Sequence, residues 1–283
     1  MNVYTTEKIR NIVLLGHGGS GKTSLAEAMA YLGGITSRMG KVTDGNTVSD
    51  YGKEEQKRHF SISASCIAIE WDGCKINLLD TPGYFDFVGE VEEAVSAADA
   101  AIIVVSGKAG MEVGALKAWE LCEKYHLPRM VYVSDMDVDQ ASYKEVVEDL
   151  TQLYGKKIAP FHFPIRENEK FVGYVNVVSE AGYRWVGKEV EECEIPDYSR
   201  PYLEKYRESL MEAVAETSEE MMDRYFAGEV FSDAEIRAAL RNNVVDGSIV
   251  PVSMGSNILC QGVYTLLDDI IKYMPSPENR EIA

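Results

Sequence analysis

One short glycine-rich stretch carries the residues best suited to chemistry. Positions 16 to 23 match the spacing of a phosphate-binding loop. Three glycines at 18, 19 and 21 let the backbone turn its N–H groups towards an anion. The helix expected after the loop adds the positive end of its dipole. We therefore predict phosphate binding by Gly16, His17, Gly18, Gly19, Ser20, Gly21, Lys22 and Thr23.

The last two residues of the loop have the side chains that nucleotide chemistry needs. Lys22 places a positive charge beside the β- and γ-phosphates, where it can stabilise a phosphate in transfer. Thr23 offers a hydroxyl to Mg²⁺, a cation that pairs with phosphates. An apolar run at 12–15 predicts a strand before the loop, and residues 22–32 predict a helix after it. Strand, turn and helix form the context that the motif requires.

A second motif, Asp80-Thr81-Pro82-Gly83, follows another predicted strand. A carboxylate at a strand end, on the sheet edge that carries the phosphate loop, can hold Mg²⁺ through water. The N–H of Gly83 can meet a γ-phosphate. The two motifs together predict a nucleotide switch.

Composition bounds the class of the protein and its partners. The chain has 283 residues, 46% hydrophobic and 26% charged, enough for a substantial core in one large domain or two small ones. It has no apolar run of 18 residues, so no membrane span is expected. The net charge of −18 disfavours autonomous nucleic-acid binding, and no direct DNA binding is expected. Five scattered cysteines without a C-x-x-C pair, with only four histidines, indicate a reducing cytoplasm, free thiols and no zinc site.

The first half of the chain alternates between strand and helix patterns, which predicts an α/β fold with a mostly parallel sheet and helices on both faces. The Asp72-Gly73 pair predicts a hairpin, and hence one antiparallel edge strand. Residues 33–60 show no clean period, so no regular structure is predicted there. Strands are predicted at 8–15, 63–71, 74–80, 100–105 and 129–133, and helices at 22–32, 85–98, 111–125 and 141–154.

The alternation stops near Gly155 and resumes near the end of the chain. Between them the patterns predict short antiparallel strands at 161–165, 171–178 and 183–186, an acidic solvated loop at 189–194, and helices at 198–216, 218–227 and 232–244. Residues 249–254 predict a further strand of the main sheet, and 262–273 the last helix. We therefore predict a main domain at 1–155 and 247–277, an inserted α+β subdomain at 156–246, and a tail or linker start at 278–283.

These motifs resemble those of translational GTPases, most closely elongation factor G and its paralogues. Residues 80–87 resemble the family's D-T-P-G-H-x-D-F, and Asp50-Tyr51 followed by residues 55–62 resembles its first switch. Residues 134–137 stand in the place of N-K-x-D, and residues 255–257 in that of the base-contacting G-S-A loop. The predicted insertion resembles the family's G′ subdomain, and the resemblance covers residues 8–277.

The resemblance implies a P-loop GTPase fold that hydrolyses GTP to GDP and phosphate with Mg²⁺, faster on the ribosome. Residues 35–62 and 80–92 would order around the γ-phosphate. It also implies a cytoplasmic factor whose further domains lie outside these residues, so that this part alone would not perform translocation. The implied site comprises catalytic Lys22 and Tyr84, metal ligands Thr23, Ser61 and, through water, Asp80, and base contacts Ser134, Asp137, Ser256 and Asn257.

Several positions depart from the family pattern. Ser61 replaces the switch threonine but keeps a hydroxyl for Mg²⁺. Tyr84 replaces the histidine that positions the attacking water, and a phenol is a weaker base than an imidazole, so slow or ribosome-dependent hydrolysis is expected. Ser134 and Asp135 replace the asparagine and the lysine that lie near the base, so weaker guanine binding is expected. Asn257 replaces an alanine whose backbone contacts to the base it can keep.

Two other functions remain open on the sequence. Tyr84 and Asp135 favour a nucleotide-dependent binding module with little or no turnover and relaxed base selectivity. The phosphate loop by itself also fits a P-loop ATPase or kinase. The motif at Asp80 and the carboxylate of Asp137 count against that second alternative.

Overall fold

The computed structural model describes residues 2–187 and 189–279. No helix within them is long and apolar enough to cross a membrane. The strands are β1 (Ile9–Leu15), β2 (Ser65–Trp71), β3 (Cys74–Asp80), β4 (Ala100–Ser106), β5 (Arg129–Ser134), β6 (Ile158–Pro160), β7 (His162–Glu167), β8 (Lys170–Asn176), β9 (Ala181–Val186), β10 (Glu189–Cys193) and β11 (Val250–Met254). The helices are α1 (Lys22–Leu32), α2 (Lys53–Arg58), α3 (Val88–Ala97), α4 (Val113–Lys124), α5 (Tyr143–Tyr154), α6 (Arg200–Ala215), α7 (Glu219–Phe226), α8 (Asp233–Val245) and α9 (Val263–Tyr273).

The larger sheet has seven strands in the order β2-β3-β1-β4-β5-β11-β6. β2 runs antiparallel to β3, and all other neighbours are parallel. Asp72 and Gly73 turn the chain between β2 and β3 with φ angles of 39° and 73°, as a two-residue hairpin requires. The predicted α/β class, a mostly parallel sheet with one antiparallel edge strand, is confirmed.

The central strands of this sheet form the core. Every residue of β4 and β5 is buried, and the last four residues of β1 are at most 1% exposed. Strands of this kind appear as continuous apolar runs because helices cover both faces of a parallel sheet. The shared strand direction brings the loops after β1, β3, β5 and β11 to one edge, where open α/β sheets bind their ligands.

The smaller sheet has four antiparallel strands in the order β10-β9-β8-β7. The prediction of a solvated loop at 189–194 is wrong, because Glu189 to Cys193 pair with β9 as an edge strand. Repeated glutamates hide the alternation that marks a strand. On an exposed edge, the same charges deter pairing with other chains.

The division of the chain into a main domain and an insertion at 156–246 stays a prediction. β6 falls within that predicted insertion, yet it pairs with β11 at the edge of the larger sheet, with Ile158 opposite Val250. A strand of three residues is too short to show a period in the sequence.

Two glutamates organise residues 33–60, where the sequence predicts no regular structure. Glu27 of α1 is 2% exposed and accepts hydrogen bonds from the backbone N–H groups of Gly40 at 2.7 Å and Val48 at 2.8 Å. Glu55 of α2 accepts from those of Ile62 at 2.9 Å and Ser63 at 3.1 Å. The prediction missed α2 because six residues are too few to show a helical period.

A buried polar cluster joins both sheets to α9. His162 of β7, Ser253 of β11 and Asp269 of α9 are each at most 4% exposed. Nδ1 of His162 lies 3.2 Å from the Ser253 hydroxyl and 3.3 Å from the Asp269 carboxylate. Burial lowers the pKa of His162 to about 3 and raises the pKa of Asp269 to about 8. Burial therefore favours the neutral form of both side chains.

We expect Asp269→Asn to lessen the loss of stability towards alkaline pH. The pKa of Asp269 is raised in the folded state to about 8, so the native protein keeps a proton that the unfolded chain releases. The free energy of unfolding therefore falls as the pH rises from about 4, the ordinary pKa of an aspartate, to about 8. Urea unfolding at about pH 5 and at about pH 8 measures the drop in the free energy of unfolding between them. This drop should be smaller in the variant than in the wild type by on the order of 1 kcal/mol or more. Equal drops would contradict a neutral Asp269.

Candidate nucleotide-binding site

The loop between β1 and α1 turns at two glycines where any larger residue would strain the backbone and clash with a neighbouring atom. Gly16 has a φ of 144°, and a Cβ there would lie 2.4 Å from the carbonyl oxygen of Val104. Gly21 has a φ of 91° at the N-cap of α1, and a Cβ there would lie 2.9 Å from Nδ2 of Asn257. The phosphate loop thus contacts the neighbouring elements through its backbone.

Lys22 lies buried inside the loop, 5% exposed. Its Nζ donates to the carbonyl oxygens of Gly16 at 3.0 Å and His17 at 2.8 Å. Burial lowers the pKa of Lys22 to about 8, and the nearby Asp80 carboxylate opposes that change. A cation held by fixed acceptors is preorganised to meet a phosphate.

Asp80 is the buried carboxylate next to that ammonium. It ends β3, is 1% exposed, and neither of its oxygens has a hydrogen-bond partner among the described residues. Burial raises the pKa of Asp80 to about 6, while the nearby Ser49 hydroxyl, Lys22 and the Thr23 hydroxyl act to lower it. A buried carboxylate without a hydrogen-bond partner is costly unless a ligand compensates it.

Hydroxyl groups complete an oxygen-rich cluster beside Asp80. Oγ1 of Thr23 and Oγ of Ser61 are 3.0 Å apart. The hydroxyl of Ser49 is buried and has no hydrogen-bond partner within the described ranges. Mg²⁺ prefers hard oxygen ligands of this kind. The residues present therefore fit the predicted metal, and ligation by Thr23, Ser61 and Asp80 stays a prediction.

Sequence reasoning missed two members of this cluster, Ser49 and Asp50. Both are 3% exposed. Burial raises the pKa of Asp50, and a hydrogen bond from Ser61 acts to lower it. Both residues lie in the stretch before α2 that shows no periodic pattern. The resemblance to the first switch included Asp50, but it gave neither residue a role in the site.

The Asp80 loop packs directly on the phosphate loop. The hydroxyl of Thr81 donates to the carbonyl oxygen of Leu14 at 2.5 Å. A Cβ on Gly83 would lie 2.6 Å from Nζ of Lys22 and 2.7 Å from the backbone nitrogen of Gly18. The two predicted motifs therefore meet, with no room for a side chain between them.

Tyr84 lies over the phosphate loop. A Cβ on Gly18 would lie 3.3 Å from Cζ of its ring. The ring also packs edge-on against Phe60, with 4.8 Å between centroids, and is 48% exposed. The phenol thus packs on the first switch and also reaches the predicted phosphate site. A cavity of about 210 Å³ is lined by Gly18, Lys22, Thr23, Ser61 and Tyr84, among others.

The side chain of His17 contacts the N-terminus of α4. Its Nδ1 accepts a hydrogen bond from the backbone N–H of Gly114 at 3.3 Å, and Nε2 lies 3.5 Å from the carboxylate of Glu112. The imidazole therefore stabilises the position of the loop against α4. Any contribution of His17 to phosphate binding would come from its backbone.

Two residues predicted to contact the base lie on neighbouring elements and donate hydrogen bonds to the phosphate loop. Ser134, fully buried at the end of β5, donates to the carbonyl oxygen of Ser20 at 2.8 Å. Asn257, 3% exposed after β11, donates from Nδ2 to the carbonyl oxygen of Gly21 at 3.0 Å. Oδ1 of Asn257 has no partner among the described residues, so this acceptor remains for a ligand.

The other residues of the predicted base site differ in what they offer. Asp135 accepts a hydrogen bond from the hydroxyl of Ser106 at 2.7 Å. The backbone N–H of Ser256 donates to the carbonyl oxygen of Gln261 at 2.8 Å, which shapes its loop. Asp137 is exposed at the same sheet edge. Its carboxylate is the candidate for reading a base.

The loop, the buried lysine and the strand-end carboxylate define a P-loop nucleotide-binding domain. The model of the family described as "Elongation factor Tu GTP binding domain" matches residues 7–276. The chain belongs to this family, and it is therefore a GTP-binding domain of the translational GTPase class.

A solved structure has the same fold. It is the crystal structure of a protein from Thermus thermophilus, which matches this chain with a TM-score of 0.92 and 37% sequence identity. The match covers 97% of this chain and 41% of the Thermus protein. This chain therefore spans about two fifths of the length of the protein it resembles.

We expect Gly83→Ala to weaken GDP binding about tenfold or more. The added methyl group would lie 2.7 Å from the backbone of Gly18, which must shift to admit it. Overpacking of this kind costs about 1–3 kcal/mol, and each 1.4 kcal/mol is about tenfold in affinity.

Gly89→Ala is the matched control, because a Cβ at Gly89 of α3 has no neighbour within 4 Å. Displacement of a fluorescent GDP analogue measures both variants. Equal affinities for the two would contradict the close packing of the two loops.

Proposed function

We propose that this domain is the GTP/GDP switch of an elongation-factor-G-like translation factor, which hydrolyses GTP to GDP and phosphate with Mg²⁺ and is stimulated by the ribosome. One observation carries the proposal. Both oxygens of the buried Asp80 carboxylate have no hydrogen-bond partner within the described ranges, and the carboxylate lies near Lys22 and the Thr23 hydroxyl. A phosphate together with a hard cation would compensate all of these groups.

The phosphate loop supplies most of the electrostatic stabilisation in this proposal. The pKa of Lys22 is lowered by burial to about 8, and a phosphate anion would raise it and keep the ammonium charged. Charge that develops on the transferred phosphoryl group would meet Lys22 and the N-terminus of α1. Bound Mg²⁺ would neutralise phosphate charge, held by Thr23, Ser61 and, through water, Asp80.

The switch follows from the contact between the two loops. Gly83 lies against Gly18 and Lys22, so a γ-phosphate that binds there would displace or reorder the Asp80 loop. Ser61 follows α2, whose Glu55 accepts the N–H groups of the next two residues and so couples them to the helix. Residues 35–62 and 80–92 would order together around the γ-phosphate.

Tyr84 would orient the attacking water. Its ring lies over Gly18 and against Phe60. A phenol hydroxyl can donate or accept a hydrogen bond to water, but it takes a proton less readily than an imidazole does. Slow turnover without the ribosome follows from this substitution.

The base would be read by Asp137, whose carboxylate accepts from the N1 and N2 groups of guanine. Asn257 offers its Oδ1, for which the described part of the chain supplies no partner, while Ser134 and Ser256 hold their loops through the hydrogen bonds described above. Asp135 adds a negative charge where the family has a lysine, so we expect guanine binding that is selective but weaker.

The ribosome, further domains and a cytoplasmic location belong to the same proposal. Membership of a translation-factor family supports all three. The greater length of the matched Thermus protein supports the action of further domains with this one.

We expect Tyr84→His to raise the single-turnover rate constant for GTP hydrolysis by roughly 10- to 100-fold, because an imidazole is the better proton acceptor. Tyr84→Phe keeps the ring packing and removes the hydroxyl, so it should lower the rate. Phosphate release with and without ribosomes measures both variants, and GDP affinity should stay unchanged in each. If the wild type released no phosphate in either condition, the domain would be a nucleotide-dependent binding module.

We expect Asp137→Asn to replace the preference for GDP with one for XDP. Xanthine carries a carbonyl where guanine carries the N2 amino group, so it pairs with the amide donor of asparagine. Hydrogen bonds to charged groups contribute about 1.5–3 kcal/mol, which predicts a shift of at least about tenfold in the affinity ratio.

Calorimetric titration of GDP, XDP and ADP in the presence of Mg²⁺ measures this exchange. Unchanged ratios in the Asp137→Asn variant would contradict base reading by Asp137. Equal binding of GDP and ADP by the wild type would favour relaxed selectivity or an ATPase.

A further inference from the structure

Arg166 connects the smaller sheet to the loop that carries Asp137. It lies at the end of β7, where the register with β8 shifts between Ile165 and Arg166. A bulge of this kind changes the direction of a side chain. The guanidinium Nη2 donates to the carbonyl oxygens of Met136 at 2.9 Å and Ala141 at 3.0 Å. These two carbonyls bracket Asp137.

The chain on either side of Asp137 contains two residues in the left-handed region of the backbone. Asp135 has a φ of 61° and Gln140 a φ of 69°. Residues other than glycine seldom adopt such values, and they persist only where the surroundings hold them. The turns after β11 and β4 hold the segment at its ends: the N–H of Met136 donates to the carbonyl oxygen of Gly255 at 3.2 Å, and the N–H of Ser142 donates to that of Gly107 at 2.8 Å. Arg166 adds two bonds from outside the larger sheet.

The smaller sheet and its neighbours fix Arg166 in turn. The hydroxyl of Tyr198, in the turn before α6, accepts from the backbone N–H of Arg166 at 3.1 Å and donates to its carbonyl oxygen at 2.7 Å. Nη1 of Arg166 donates to the carbonyl oxygen of Glu169 at 2.8 Å. The side chain therefore transmits the position of β7 to the base-reading loop.

We propose that Arg166 is a positioning residue for guanine recognition, which holds Asp137 in register with the base through Met136 and Ala141. The proposal rests on the proposed function, because it requires Asp137 to read guanine. Displacement of the smaller sheet would then alter base affinity and leave the phosphate loop intact.

Arg166→Met tests this proposal, since it removes every donor and keeps the apolar stem. We expect the affinity for GDP to fall about tenfold, as the loss of one or two hydrogen bonds predicts. IDP lacks the N2 amino group and makes one contact fewer with Asp137, so its affinity should fall by no more than about threefold. Isothermal titration calorimetry measures both affinities, and the ratio of GDP affinity to IDP affinity should be smaller in the variant than in the wild type.

Arg207→Met is the matched control. Arg207 of α6 donates from Nη1 to the carbonyl oxygens of Val177 at 3.3 Å and Val178 at 2.8 Å, beside the smaller sheet. It should lose stability in urea unfolding and keep the wild-type ratio of GDP to IDP affinity. A purely structural Arg166 would behave in the same way, so an unchanged ratio in Arg166→Met overturns the proposal.

Arg166→Lys carries the test if circular dichroism shows that the methionine variant does not fold. Lysine keeps the charge and loses the planar fork that spans two carbonyls. The ratio of GDP affinity to IDP affinity should then fall about threefold, and an unchanged ratio again overturns the proposal. If the wild type itself did not prefer GDP to ADP, the proposed function would fail, which is a separate outcome.

Discussion

A buried ammonium and a buried carboxylate lie close together under the phosphate loop, and the surrounding structure depends on keeping both there. Lys22 is satisfied by two loop carbonyls, whereas both oxygens of Asp80 have no hydrogen-bond partner among the described residues. Removing such charges from water costs several kcal/mol each, which their mutual attraction only partly offsets. Keeping the two charged groups buried therefore costs stability, which a bound phosphate together with a cation would offset.

The location of this site could be predicted because phosphates and parallel strands impose fixed local requirements. Glycine spacing, a lysine at the start of a helix and a carboxylate at a strand end are all local signals. The alternation of strand and helix patterns predicted that most strands of the sheet are parallel. Elements without a local signal were missed: β10 is an exposed strand rich in glutamate, and α2 and β6 are too short to show a period.

The hydrogen-bond partners of individual side chains could not be predicted, because these partners are distant in the sequence. Ser134 donates to Ser20, and Asn257 donates to Gly21, so two residues expected to contact a base stabilise the phosphate loop. Ser49 is buried near Asp80 in a segment whose backbone N–H groups donate to the carboxylates of Glu27 and Glu55. No periodic pattern encodes contacts of this kind.

The phosphate loop and the segment around Asp137 depend on partly different contacts, although Ser134 and Asn257 connect the loop to the proposed base site. The loop glycines lie between β1 and α1, Lys22 begins α1, and the Asp80 loop packs against them through Gly83. The segment around Asp137 depends on Gly107, Gly255 and Arg166, which lie far apart in the sequence. If Asp137 reads the base, as proposed, the substitution at Asp135 would act on the base site more than on the phosphate loop. Under the proposed function, such a domain would keep its phosphate loop while its selectivity for the base changed.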